Sequence, residues 1–475
     1  MPSLSNARAL LYLTGDELSL LTEEWPSSAA ARTSLGGATA AASRTSLGGA
    51  TAAASRRGAP LPDFLRPTAV EANLEFCGIA FEHRRAVHDA LSRLVVEPEA
   101  VSLAVHLRHR LFETDCRTTD WPDVADRSPL LSCLYLVVGS SMVPAVRELH
   151  EARGIDEEVT RATCNEVAGF CTNHLVAHPG APGLLPPQLY WLRHYPAGRL
   201  FRVGRFEYMV GEHRHAGPVY RHRAHGWTLA LADPDRSYTA DGLEQCDPDV
   251  SGAWTPVLEE ADGSVRGNPI DPRGVALRTT VALGAAEWER VLAPGDPVLE
   301  LHIPAGGGMT PDAAKDSFAR SFDFFERYVT TTRLKGIVCR SWIFNTQLEQ
   351  RMPDSNLADL MRQVYLVPAR GSGRDGLFFI FCRDYDRLED YPRQTRMQRA
   401  LLDVLEGGGR LRATGMVMLR DDVERMGSQP YRGGWESMAA SGVVPGGHGD
   451  SVPQPGFGPS IGRSSRFPRS VHDPS

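Results

Sequence analysis

Lysine is almost missing from this 475-residue chain: Lys315 and Lys335 stand alone, and arginine supplies every other basic side chain apart from histidine. Such a bias reflects GC-rich coding rather than chemistry and suggests a high-GC bacterial source. Any CxxC pair is also missing; the eight cysteines, at 77, 116, 133, 164, 171, 246, 339 and 382, are scattered. In a chain of this length that pattern points to reduced thiols on apolar faces of a cytoplasmic protein. No HExxH or Walker A pattern occurs, and a GxSxG spelling falls only at 458–462, in the Gly- and Pro-rich tail and outside the strand-to-helix context a nucleophile elbow needs, which removes the commonest hydrolase, zinc-protease and nucleotide-triphosphatase readings. The chain does not open on a basic region followed by an apolar stretch, so no signal peptide is expected. The longest apolar segment, 130–146, is interrupted by Ser132, Gly139, Ser140, Ser141 and Pro144, and reads as a buried core helix rather than a membrane span. A net charge of -7 gives no electrostatic case for nucleic acid or an anionic membrane as the main partner.

What is present divides the chain into distinct stretches. Residues 1–25 read as a short helical segment that docks on the body. Residues 26–62 contain a perfect tandem repeat, RTSLGGATAAAS at 32–43 and again at 44–55, whose small residues make it a flexible linker rather than a solenoid. From 63 to 197 the pattern is helical: Thr68 with Glu71 makes a capping-box signature, Gly154 ends one helix, and Glu157 and Glu158 complement the start of the next. The run PGAPGLLPP at 179–187 breaks that pattern. From 198 to 422 strands are expected at 200–210, 220–232, 274–283, 298–303, 336–344, 377–382 and 413–419, with helices at 285–292, 310–329, 356–365 and 395–406. Residues 423–475 turn to Gly, Pro and Ser and read as a disordered tail. The fold class is α+β, an all-helical N-terminal domain followed by a mixed α/β domain.

The stretch PVLELHIPAGGGMTPDAAKDSFARSFDFFERY, residues 297–328, carries most chemistry. It reads as a buried strand, a three-glycine turn and a helix with Thr310 as N-cap, Pro311 at its first position and Asp312 in its first turn. Phe318, Phe322, Phe325 and Val329 then form one apolar face. Backbone amides of Gly306, Gly307, Gly308 and Met309 would be open to a phosphate or pyrophosphate, because glycine lets a ligand approach closely; the same pattern also serves as a plain structural turn.

The order strand, glycine turn, helix, strand, helix, strand fits the acetyl-coenzyme A transferase fold. The segments LELHIPAGGGMTPDAAKDSF, VCRSWIFNTQLEQRMPDSNL and PRQTRMQRALLDVLEGGG, with GRLFRVGRFEY at 198–208, resemble a bacterial family of acyltransferase-domain proteins. That family places a helical N-acyltransferase domain before a GNAT-like C-terminal domain, and the resemblance covers residues 63–422. It implies acyl-coenzyme A as co-substrate, held at Gly306–Met309, and an amine on a small molecule or peptide as acceptor; no metal is expected. The helical domain would shape the acceptor pocket at the domain boundary. One position departs: the usual coenzyme A loop is Q/R-x-x-G-x-G/A, and Ile303 stands where Gln or Arg would be.

For the chemistry, Glu300 and His302 alternate onto one face of the strand, where either could take the proton of an attacking amine; both could equally be polar rim groups. Cys339 and Ser341 share a face of the next strand, as donors to a departing thiolate or as packing. Tyr365, placed at the end of the following helix, is a second acid candidate. The main rival is the segment EHRHAGPVYRHRAH, whose His213, His215, His222 and His225 could ligate a metal; Arg205, Arg214, Arg221 and Arg223 around them oppose a cation. Cys171, His174 and His178 fall on one side of a helix, where the helix dipole at a C-terminus also accounts for the histidines. Gly371–Gly376 matches GxGxxG but reads as a hairpin loop between two strands. The sequence therefore leads to acyl transfer by direct attack. A degenerate binding or regulatory module and a metal-dependent protein remain as alternatives.

Overall fold

The protein, a computed structural model, is described for residues 4–23, 60–114, 116–123, 125–245 and 252–445. The repeat linker, the chain beyond 445 and Cys246 lie outside the described residues. Two compact units emerge: Met1–Arg202 with Pro304–Gly306, and Val203–Ile303 with Gly307–Ser475.

The first unit is helical. Its N-terminal segment forms two short helices, Ser5–Leu10 and Gly15–Leu21, rather than one. The carboxylate of Glu99 docks the first by accepting from the amides of Asn6 (2.8 Å) and Ala7 (3.2 Å), which a helix start leaves without partners. Thr14 and Glu17 form a full capping box on the second. The box expected at Thr68 and Glu71 does not form. Pro67 opens that helix instead, and Glu71 reaches Arg84 (3.1 Å) and His88 (2.8 Å). Helix α1 (Pro129–Ser140) is buried from Leu130 to Ser140. The apolar stretch 129–153 has the length and mean hydropathy of a membrane span, but 83% of its most apolar window is buried, and the helix breaks at Ser141–Met142. Gly139 is required there, because a Cβ would stand 2.6 Å from Leu184 and 2.8 Å from Leu192. Helix α2 (Glu166–Ala177) follows, and the proline-rich break separates it from Pro186–Leu192.

The second unit is built on a central sheet. Strands β1 (Phe206–Glu212), β2 (Pro297–His302), β3 (Gly336–Ser341), β4 (Tyr365–Ala369) and β5 (Ala413–Leu419) lie in the spatial order β1-β2-β3-β5-β4. Helix α3 (Pro311–Tyr328) packs Phe318 against Phe206 and Phe325 against Tyr208. Its Thr310 cap accepts from the amide of Ala313 at 3.3 Å. Between β1 and β2 the chain inserts two small antiparallel sheets, one of five strands and one of three.

Several expectations are corrected. Residues 285–292 are not a helix: Trp288–Leu292 is a strand paired with Val219–His222, because that pairing buries Trp288 and Leu292. Residues 377–382 are not a strand but the short helix Leu377–Phe381, since a run of five apolar residues has no period to distinguish the two. Helix Asn356–Gln363 stops early, and Tyr365 opens β4 rather than ending the helix. The stretch 423–445 is not disordered. It carries the helix Pro430–Ala440, whose Trp435 and Met438 complete a core with Tyr220, Leu229, Leu231, Leu283 and Trp288 of the inserted sheets. That burial supplies the apolar contact that orders a glycine-rich segment.

Candidate functional site

The geometry of the site begins with how β2 is paired. Against β1 it pairs antiparallel along its whole length, from Pro297↔Glu212 to His302↔Glu207. Against β3 it pairs parallel at two positions only, Leu299↔Ile337 and Glu300↔Val338. β3 meanwhile keeps six partners on β5 through Ser341↔Thr414. Beyond Glu300 and Val338 the two parallel strands therefore separate. Leu301 and His302 stand on one side of the opening, and Cys339, Arg340 and Ser341 on the other.

Strand alternation then sorts the side chains. Tyr208, Leu299 and Leu301 share the face covered by α3. Glu300 and His302 share the opposite face with Glu207, Met209 and Gly211, to which the register ties them. Glu300 lies folded over Gly211: a Cβ there would meet its carboxylate oxygen at 2.3 Å. Sequence reasoning passed over Gly211, although glycine inside a strand is itself a sign of close approach. Burial raises the Glu300 carboxyl above the ordinary glutamate value, and the Arg214 guanidinium partly offsets it. Such a carboxylate is a stronger base than a solvated one.

At the end of β2 the chain enters the glycine turn. Gly306, Gly307 and Gly308 all have positive φ, at 78°, 73° and 62°. Three left-handed residues in succession are a conformation that side chains other than glycine resist. These glycines are exposed, and among the described residues the amides of Gly306, Gly307, Gly308 and Met309 make no hydrogen bond within the protein. They lead into the N-terminus of α3, an 18-residue helix whose first-turn amides add the positive end of its dipole.

Arg205, in the turn before β1, sits beneath this loop. Its Nε donates to the Gly308 carbonyl, and a Cβ on Gly307 would stand 3.5 Å from that nitrogen. A guanidinium is thus fixed beside the open amides, although Ile303 offers no polar side chain. The sequence separation of Arg205 from Gly308 hides this neighbour from any local pattern.

The other candidates are placed as follows. Ser341 is the last residue of β3, on the opposite face from Glu300 by alternation, and its Oγ accepts from the amide of Ile343 at 3.4 Å. Cys339 is buried, and burial pushes its thiol up, helped by the Glu300 charge. Tyr365 is buried in the sheet, donates its phenol to the Ile270 carbonyl and accepts from the Ala230 amide at 3.2 Å. That hydroxyl belongs to the framework, and burial raises it further.

The histidine-rich segment does not converge on one point. His213 Nε2 is 3.2 Å from the Gly217 carbonyl, and burial drives His215 down to about 3. His222 and His225 instead pack on Trp227. Arg214, Arg221 and Arg223 pair with Glu212 (2.6 Å), Asp422 (2.6 Å) and Glu289 (2.7 Å). Among the described residues the histidines of this segment form no metal-ligand group. In the first unit, Cys171 and His174 are buried and His178 is half-buried; burial drives His174 down to about 4. Gly371–Gly376 precedes a helix rather than joining two strands, and the Asp375 carboxylate accepts from the amides of Ser372 and Gly373 (3.2 Å).

Residues 69–195 match the N-acyltransferase N-terminal domain, and residues 200–418 match the GNAT-like C-terminal domain. Three solved structures are similar over 88% of this chain and 99% of their own. One is an acyltransferase mutant in complex with octanoyl-CoA, at 17% identity and a TM-score of 0.53. Another is an acyltransferase in complex with decanoyl-CoA and teicoplanin, at 17% and 0.51. The third is an acyltransferase in complex with CoA and 10C-teicoplanin, at 16% and 0.52. At such identities the likeness is one of fold. No curated protein matches the chain.

Proposed function

Since the chain belongs to the two-domain N-acyltransferase family, with a GNAT-like C-terminal domain, we propose that it moves an acyl group from coenzyme A to the amine of a small molecule or peptide. The observation that carries this reading is the run of unpartnered amides at Gly306–Met309, standing where β2 has parted from its parallel neighbour. Those amides, the start of α3 and Arg205 form a cradle for a pyrophosphate, with Arg205 taking the part that a Gln or Arg at Ile303 would play. The opening between β2 and β3 then admits the pantetheine arm and the thioester.

In the step itself, the amine nitrogen forms a bond to the thioester carbonyl carbon while the Glu300 carboxylate accepts the amine proton. The C–S bond breaks, the Ser341 hydroxyl at the far end of β3 is the proposed hydrogen-bond donor to the departing thiolate, and solvent carries the proton from Glu300 to that sulfur. His302, two residues from Glu300 on the same face, is the alternative base. Tyr365 has no part, because its hydroxyl is spent on Ile270 and Ala230. Attack is direct, and its rate advantage comes from holding the two reactants together. The acyltransferase solved with decanoyl-CoA and teicoplanin supports a small-molecule acceptor and a chain longer than acetyl.

Calorimetric titration of the full chain with acetyl-, octanoyl- and decanoyl-coenzyme A tests the reading. Saturable binding by one of them, with turnover on an amine, is expected. No saturable binding by any of the three overturns it.

A further inference from the structure

The first unit contains a side-chain cluster that acyl transfer does not use. His174 lies in the last turn of α2 and His178 caps its end, with their rings 4.9 Å apart. His174 is fully buried. Its Nδ1 is 2.8 Å from the Ala181 carbonyl, which accepts only, so Nδ1 carries the hydrogen and Nε2 keeps its lone pair. That Nε2 has no hydrogen-bond partner among the described residues. A buried acceptor left bare calls for an explanation. Gly183 lies close to that nitrogen, and any larger residue would crowd it, since a Cβ there would stand 2.9 Å away.

The residues around the His174 ring have the chemistry of ligands. His178 Nδ1 is 2.8 Å from Asp126 Oδ1, a carboxylate–imidazole pair of the kind that orients a metal-binding ring. Its Nε2 is 3.3 Å from Asp123 Oδ1. That separation is long for a charged hydrogen bond, but two ligands on a tetrahedral zinc, each about 2.0 Å from the metal, lie about 3.3 Å apart. One ligand atom from each of Asp123, His174 and His178 falls within 4.8 Å of the others.

We propose that Asp123, His174 and His178 bind a zinc-class divalent cation, with Asp126 holding the His178 ring and a fourth position left to water. This proposal departs, for the helical unit, from the expectation that no metal is bound. Two imidazoles and one carboxylate suit zinc and cobalt better than calcium or magnesium. The cation would tie the segment before α1 to the end of α2, a cross-link that stabilises the folded unit in proportion to its occupancy. This inference does not depend on the acyl-transfer reading.

The test uses the full chain purified without a polyhistidine tag and stripped with a chelator. Titration with Co²⁺, followed by visible absorbance and by competition with Zn²⁺, is expected to show one equivalent bound. Zn²⁺ is expected to raise the melting temperature. Asp123→Asn and His178→Asn should each weaken uptake by at least about 100-fold, and Asp126→Asn by about 10- to 100-fold. Asp123 and Asp126 are exposed, so their variants keep the fold, which circular dichroism verifies. Absence of saturable uptake, or uptake that persists in the Asp123→Asn/His178→Asn double variant, overturns the proposal.

Discussion

Two glycine-rich turns each follow a strand and precede a helix, and they have opposite chemistry. In the turn at Gly306–Gly308 the amides have no partner among the described residues and stand in front of an 18-residue helix. In the turn at Gly371–Gly376 the Asp375 carboxylate has already collected the amides of Ser372 and Gly373, and the following helix is five residues long. The second turn is the better match to a phosphate-binding motif by spelling, yet its anion is built in. What separates an anion site from a structural turn is therefore not the glycines but whether the protein has supplied its own carboxylate.

The largest expected effect tests the strand that feeds the first turn. Glu300→Gln should lower kcat by about 100- to 10,000-fold while leaving acyl-coenzyme A affinity unchanged. In the unaltered protein, activity should rise with pH as Glu300 ionises, with a midpoint above the ordinary glutamate value because burial raises it. Arg214→Ala removes the offsetting positive charge and should move that limb to higher pH; the limb should vanish in Glu300→Gln.

Next in size, Gly307→Asp makes the first turn resemble the second. It places a carboxylate among the amides and a side chain at φ 73°, so octanoyl-coenzyme A affinity measured by calorimetry should fall at least about 100-fold. Arg205→Ala should cost roughly tenfold in the same measurement, the worth of one charge-assisted contact, with Arg205→Lys recovering part of it. The smallest effect is the reverse conversion. Asp375→Ala frees the second turn and should lower stability to urea by about 1 kcal/mol without changing coenzyme A affinity. An affinity gain there would break the comparison.

The strand, turn and helix at 297–328 were legible because each part is written locally: β-prone residues, three glycines, then Thr-Pro-Asp ahead of an apolar stripe. What local pattern hides is pairing. That β2 meets β3 at only two positions depends on where β5 lies, and no window of sequence contains both strands. The same holds for Arg205, which reaches Gly308 only because β1 runs beside β2. Residues 285–292 were misread because Ala and Glu favour helix, while the neighbour that makes them a strand lies on Val219–His222. In the tail a signal was present and overlooked: Pro430, Tyr431, Trp435 and Met438 follow a helical start and spacing, and all four are buried. The bare lone pair on His174 was illegible for a different reason, since it depends on which backbone carbonyl the other ring nitrogen meets.

The helix at Pro430–Ala440 also sets the order in which the molecule can be made. Trp435 and Met438 are the closing pieces of a hydrophobic chamber whose other walls, including Tyr220 and Leu229, leave the ribosome much earlier. Until those late residues arrive, the growing polypeptide lacks that part of its apolar packing, so maturation of the second unit waits on the emergence of 430–440. A nascent chain stalled before Pro430 should be captured by chaperones, and one released after Ala440 should not.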